Sequence, residues 1–479
     1  MKREQFRIES SHLQRPFQAH KCSTLPGGNR KMELKTIHIE KIVNGGYGFA
    51  RLSTGQVALV RQVLPNETVI ITTEEAKKNH LFGKVQQILQ EHPARILPPC
   101  RYYGQCGGCN LQHCDYATQL LIKKEIVVDL LRRQSEEAVR SAIARLASPL
   151  PSPAPFAYRQ RIRLQVGDRG LVGFHRFRSH EIIPIERCLL AGASINNTIT
   201  ALKEHDDGRR LCELATEVEL QENPLTGKTV CIFHFRRKIR PADVQSAKRF
   251  CAAADEVERV FFIGADFPIT GPYCTNQEKG RDHMDNTFTV HYPPGTATNP
   301  SVDLSWEAGG FCQVNLAQNR YLIDTVVAFC QAEKGDRVLD LYCGMGNFSI
   351  PLAMTAKEVF GIEGQGSAIR SAEKNAAHAG LTNCLFLKSS MNSACLALAG
   401  QGQMFDCVVI DPPRQGIPGL AGQLAAITGK RLVYISCDPS TLGRDLGELT
   451  SEGFTISKVQ PVDMFPQTHH IETVVLLQK

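Results

Sequence analysis

Arg337-Val338-Leu339-Asp340-Leu341-Tyr342-Cys343-Gly344-Met345-Gly346-Asn347-Phe348-Ser349 is the stretch that decides the fold. A short apolar run of the kind buried on both faces of a sheet leads into a loop with two glycines. Gly344 and Gly346 let the backbone turn tightly against a ligand where a Cβ would collide. The same grammar recurs downstream. Val359-Phe360-Gly361-Ile362, Cys407-Val408-Val409-Ile410 and Leu432-Val433-Tyr434-Ile435 are buried-type strands, each followed by a polar or Gly/Pro loop and in most cases a helical stretch. From Phe311 onward this alternation predicts an α/β doubly wound, mostly parallel sheet, with ligands at the carboxyl ends of its strands.

The loops at those ends carry the chemistry. Glu363 closes the strand after the glycine turn, 23 residues beyond Asp340, where a carboxylate can accept hydrogen bonds from both ribose hydroxyls of an adenosine. A dinucleotide fold needs a third glycine where this chain has Ser349, so a nicotinamide dehydrogenase is the weaker reading. The strand that follows ends in Asp411-Pro412-Pro413-Arg414, whose prolines delay the next helix and hold a carboxylate at the sheet edge. Cys437, in Ser436-Cys437-Asp438-Pro439, ends another strand on the same side.

A thiol at that edge can act as a covalent nucleophile: adding to one carbon of an electron-poor ring, it makes the neighbouring carbon reactive. Such a cycle then needs a base to take a ring proton and let the thiol leave. Glu472, before the apolar run Thr473-Val474-Val475-Leu476-Leu477 and after His469 and His470, stands at a strand end and is the candidate.

Upstream the grammar differs. Between residues 34 and 88, short β-branched runs alternate with turns such as Gly45-Gly46-Tyr47-Gly48, which predicts a small β-barrel. Cys100-x5-Cys106-x2-Cys109 is too dense for core packing, and Gly107-Gly108 would let the chain wrap a metal centre. By spacing alone a zinc ion and an iron–sulfur cluster both fit, with Cys114, His113 or Cys188 as fourth ligand. A helix is expected over residues 116–133 with Ile122, Ile126 and Leu130 on one face. The four prolines of residues 147–155 suggest a linker. Alternation over residues 159–164 puts Arg159, Arg161 and Arg163 on one strand face. With Arg176 and Arg178 they are candidate RNA phosphate contacts in a central α+β region reaching Gly310.

Composition sets outer limits. At 479 residues, two to four domains are expected, and the net charge of +7 favours an acidic partner. No run of eighteen apolar residues exists, so no membrane span is expected. Residues 1–31 have no apolar signal segment and are expected to be a flexible basic tail, with Met32 a second candidate start. The 17 cysteines then belong to a reducing, cytoplasmic setting.

Asp340 to Asn347, the Asp411–Arg414 motif, Ser436 to Pro439 and Phe465 to Glu472 together resemble the TrmA/RumA family of RNA (uracil-5-)-methyltransferases. The resemblance implies that Cys437 is the nucleophile and Glu472 the proton acceptor. It also implies S-adenosylmethionine contacts from Gln313, Tyr342, Asn347, Glu363 and Asp411, beside Gly344 of the turn. Where some members use an asparagine, this chain has Ser390. The cysteine spacing, with Gln112-His113 following, resembles a [4Fe–4S] site and implies Cys100, Cys106, Cys109 and Cys188 as ligands. The 34–90 region, through Gly45 to Ala50, resembles an OB-like TRAM module that binds RNA. The expected organisation is therefore multidomain. It comprises a tail (1–31), a TRAM barrel (32–92), a central α+β iron–sulfur domain (93–310) and a Rossmann-like methyltransferase domain (311–479). The expected protein is a monomer acting on 23S rRNA. A tRNA substrate, or a non-catalytic RNA-binding iron–sulfur protein, are the alternatives.

Overall fold

The computed structural model describes residues 34–264, 266–274, 286–291 and 301–479. The expected tail over 1–31 and the alternative start at Met32 lie outside the described residues.

Three sheets dominate. The first has six strands, in the order Leu34–His38, Thr68–Ala76, His80–Gln90, Val57–Val60, Tyr47–Arg51 and Lys41–Val43. Its end strands are not hydrogen-bonded to each other, so the expected OB-like β-barrel is a half-barrel. Ile37, Ile39, Ala58, Val60, Val69 and Ile71 fill its concave side. Gly48 is required there, because a Cβ would come within 2.2 Å of the Val63 side chain.

The second sheet has seven strands spanning Arg161–Val166 to Phe267–Thr270. Helices Ala193–Glu204, Asp206–Leu214 and Pro241–Ala253 accompany it. Arg161 and Arg163 do not stand free on its face. Both reach the buried carboxylate of Glu219 on the neighbouring strand, at 2.7 and 2.9 Å. Arg159 turns inward instead. The reason is local: an alternating strand offers its partner strand the same face, and here that face carries Glu217 and Glu219.

The third sheet runs Cys384–Lys388, Glu358–Glu363, Arg337–Leu341, Phe405–Ile410, Thr428–Ser436, Glu472–Gln478 and Thr455–Val462. The first five are parallel; Glu472–Gln478 runs against them, and Thr455–Val462, antiparallel to it, runs in their direction. Strand order reverses beside Arg337–Leu341, and such a switch point opens a crevice at the carboxyl ends of the two strands that flank it. Two apolar layers, one around Leu339, Ile410, Tyr434 and Leu446 and the other around Val338, Val409, Val433 and Leu322, sandwich the sheet.

Two upstream segments are bound into this unit. Helix Tyr116–Arg132 is capped by Asp115, which accepts from Thr118 N. Its Ile122 and Ile126 pack on Leu111 and Ile42, while Val127 and Leu131 enter the apolar layer with Leu446. The proline-rich stretch expected as a linker instead lies along the sheet. Ala147 N and Leu150 N donate to Val459 O and Pro461 O. Prolines cannot donate, but the residues between them can, and they cover an edge that would otherwise expose unpaired groups.

Candidate active site

Leu341 ends its strand and Tyr342 adopts a left-handed φ of +62°. Gly344 follows at φ +57° and Gly346 at +89°. A Cβ on Gly344 would meet nothing within 4 Å, so its bare face opens onto space; one on Gly346 would lie 3.0 Å from Ile350. The first glycine leaves room above the turn, while the second lets the next helix pack. Gly344 N donates to Glu363 Oε2 at 3.3 Å, and Gln365 N to Glu363 Oε1 at 2.8 Å.

A small cavity of about 30 Å³ is lined by Gln313, Tyr342, Gly344, Asn347 and Asp411. With Glu363 beside Gly344, all six residues expected to contact the cofactor gather at the switch point. Asn347 is held by a reciprocal amide pair with Asn319, at 2.8 and 3.1 Å. Asn319 lies on helix Leu316–Cys330, whose cap is Asn315. Ser390, by contrast, is occupied in capping helix Met391–Gly400.

Three carboxyls in this region resist ionisation. Burial pushes Asp340 and Asp411 each up to about 7. Asp340 Oδ2 accepts from Ser349 Oγ at 2.5 Å, while its Oδ1 has no hydrogen-bond partner. Burial, aided by the charge of Asp411, takes Glu472 to about 8. Perturbed acids gathered in one cleft are a recurrent mark of a functional site.

Cys437 occupies the turn between strand Thr428–Ser436 and helix Pro439–Ser451. Asp438 caps that helix, accepting from Ser440 N, and Ser436 Oγ accepts from Asp438 N. Thr473 stands opposite Ser436 in the antiparallel pair, so Cys437 and Glu472 come next at the adjoining strand ends. Cys437 is half-buried, unlike the core thiols Cys330, Cys343, Cys395 and Cys407. Burial raises its pKa to about 12, with Glu472 and Asp411 adding to the shift. A helix N-terminus favours an anion, but here burial and the two acids outweigh it. The resting sulfur is a thiol.

His469 and His470 stack at 4.1 Å between ring centroids, and burial holds them neutral, at about 4 and about 3. Arg414 is exposed, and its charge opposes the shifts of both Cys437 and Glu472. It was visible in the sequence only as the residue after a proline pair.

Residues 302–479 match the family model described as tRNA (Uracil-5-)-methyltransferase. An uncharacterized RNA methyltransferase of Thermotoga maritima is 32% identical over 459 residues, covering 93% of this chain and 99% of that one. The 23S rRNA (uracil(1939)-C(5))-methyltransferase RlmD of Methylococcus capsulatus is 31% identical, covering 92% and 96%. The chain belongs to the TrmA/RumA family of RNA (uracil-5-)-methyltransferases. It therefore transfers a methyl group from S-adenosylmethionine to uracil C5 in RNA. The solved Pyrococcus abyssi tRNA (uracil-54, C5)-methyltransferase, in complex with S-adenosyl-L-homocysteine, shares the fold. Its TM-score is 0.66 at 24% identity, covering 92% of this chain and all of that one.

A second cluster of side chains in this methyltransferase surrounds a different cavity. Cys100, Cys106, Cys109 and Cys188 line one cavity of about 310 Å³, together with Gln112 and Arg159. Gln112 Oε1 accepts from Cys100 N, and Gly108 N donates to Cys106 Sγ at 3.4 Å. The other two candidate ligands face elsewhere. Cys114 Sγ donates to Leu111 O, and His113 is used by the Tyr103 hydroxyl and Val63 O. Among the described residues no group of three or more His, Cys, Asp or Glu is arranged to hold a metal ion. Four cysteines around one cavity give the all-sulfur donor set that either a zinc ion or an iron–sulfur cluster takes.

Proposed function

We propose that this enzyme methylates a uridine of 23S rRNA through a covalent adduct on Cys437, with Glu472 removing the C5 proton. The reading rests above all on the strand register that sets Cys437 and Glu472 side by side at the cofactor end of the sheet. Cys437 loses its proton to solvent at its open face and its sulfur bonds to C6. The C5–C6 π electrons move into an enolate at O4. C5 then takes the methyl group as the methyl–sulfonium bond breaks, and S-adenosylhomocysteine leaves. Glu472, having given up its own proton to solvent, accepts the C5 proton as a carboxylate, the S–C6 bond breaks, and the aromatic uracil returns. A carboxyl near pKa 8 is matched to that task, because it binds the proton firmly and still releases it near neutral pH.

In the same proposal Gln313, Tyr342, Gly344, Asn347, Glu363 and Asp411 hold the methyl donor. Its sulfonium charge would be favoured by acids such as Asp411. Cys100, Cys106, Cys109 and Cys188 would hold a [4Fe–4S] cluster, with a structural role, because the reaction needs no electron transfer. Residues 32–92 would bind RNA as a TRAM module, residues 93–310 carry the cluster and residues 311–479 the methyl transfer. The rRNA substrate is favoured by the RlmD relatives, which match along more than nine-tenths of the chain.

Two measurements test this. Mapping 5-methyluridine in cells lacking the gene should show one position lost from 23S rRNA; a loss confined to tRNA overturns the substrate. A Glu472→Gln enzyme should accumulate a denaturant-resistant adduct on unmodified RNA, and wild-type turnover in that variant removes Glu472 as the base.

A further inference from the structure

Glu472 is delivered by residues 463–471, which join strands Thr455–Val462 and Glu472–Gln478. This connection is gripped from more than 300 positions upstream. Lys123 Nζ lies 2.5 Å from Asp463 Oδ1, both side chains having 0% exposure, and donates to Phe465 O at 2.9 Å. The Tyr116 hydroxyl takes the other Asp463 oxygen at 2.8 Å. Gln119 meets Gln467 twice, donating to its Oε1 at 3.0 Å and accepting from its N at 2.9 Å. Asn110 N and Leu111 N, just past Cys109, donate to Gln467 O. Gln467 is held in a left-handed conformation, φ +69°, that a non-glycine residue rarely adopts.

We propose that Lys123 and Gln119 are positioning residues for the methyl-transfer reaction, setting the loop from which Glu472 reaches the pyrimidine. The proposal rests on Glu472 being the proton acceptor. Burying an ammonium and a carboxylate is an expensive way to join two elements, which apolar residues of similar volume do at least as well. A buried pair does fix direction. The Lys123 ammonium meets Asp463 and the Phe465 carbonyl together, which sets where the loop lies as well as that it is held.

The test replaces both charges at once, Lys123→Met with Asp463→Leu, so that no unpaired ion remains buried. Binding of S-adenosylhomocysteine and KM for RNA should stay close to wild type. Turnover should fall on the order of tenfold to a hundredfold, as a displacement of about 1 Å at a reacting group can cause. Unmodified RNA should accumulate as a denaturant-resistant adduct, because release is the step Glu472 serves. Should that protein fail to fold, Gln119→Leu, which keeps the ion pair and loses both bonds to Gln467, carries the same expectation. Wild-type turnover in the variant that folds, or a loss confined to KM, overturns the proposal. The two ideas fail separately. If Glu472→Gln traps no adduct, the base assignment is wrong. If it does and the brace variants turn over normally, only the brace is wrong.

Discussion

Cys437 carries its proton at rest chiefly because burial holds it there, and the two acids beside it, Glu472 and Asp411, are themselves unusual. Asp340, Asp411 and Glu472 stay protonated to about 7, 7 and 8 in the fold, against 3.8, 3.8 and 4.5 as ordinary side chains. The folded state thus holds protons that the unfolded chain has lost. Their favourable contribution is complete below pH 4 and drains away as pH rises toward 8. The ligand-free protein should therefore lose thermal stability across that window. S-adenosylmethionine, a cation at sulfur, should flatten the decline more than neutral-sulfur S-adenosylhomocysteine; equal slopes in a melting series would contradict this. The two glycines separate in the same way. A Cβ in left-handed backbone costs roughly 1–2 kcal/mol, so Gly344→Ala should lose about that much stability and bind cofactor more weakly. Gly346→Ala should lose more stability, since its Cβ also presses Ile350. Thermal melts and cofactor titration check both. At this scale the sequence was most legible where function follows backbone, in the Tyr342–Asn347 turn and at strand ends. Lys123, Asn319 and Arg414 left no local mark, because what makes them special is which distant residue they meet.

Elements with both faces buried announced themselves, and Arg337–Leu341 and its parallel neighbours lie within a few residues of their apolar runs. Direction was less legible. Glu472–Gln478 has the apolar look of its parallel neighbours, but only the short connection after Thr455–Val462 forces it antiparallel. The proline-rich stretch misled for a related reason: composition marked it as non-helical, and an extended chain beside an open edge is also non-helical. The cysteine cavity joins the loop of Cys100, Cys106 and Cys109 to Cys188, which follows strand Ile182–Pro184. Spacing left three candidates for the fourth ligand, and only Cys188 lines the cavity. With the proposed cluster bound there, anaerobically purified Cys188→Ala protein should lose the thiolate-to-iron absorption, while Cys114→Ala protein keeps it. The reverse pattern would assign the fourth ligand to Cys114.

Across the whole molecule, the N-terminal half reaches the centre of the C-terminal one. Helix Tyr116–Arg132 enters the apolar layer under the third sheet, residues 146–150 line its edge, and Asn110 to Lys123 clasp the loop before Glu472. No helix among the described residues is long and apolar enough to cross a membrane. The net charge of +7 suits a polyanionic partner. Arg161 and Arg163 contribute less than the strand pattern promised, being tied to Glu219. In the proposed mechanism all these parts serve one bond between a sulfur and a pyrimidine carbon. The direct measurement is peptide mapping by mass spectrometry after incubating the enzyme with S-adenosylmethionine and RNA carrying 5-fluorouridine at the target, where fluorine blocks release. The nucleotide should be found covalently attached to Cys437 and be absent from a Cys437→Ala protein. Attachment at another residue, or an adduct that survives Cys437→Ala, would contradict the account.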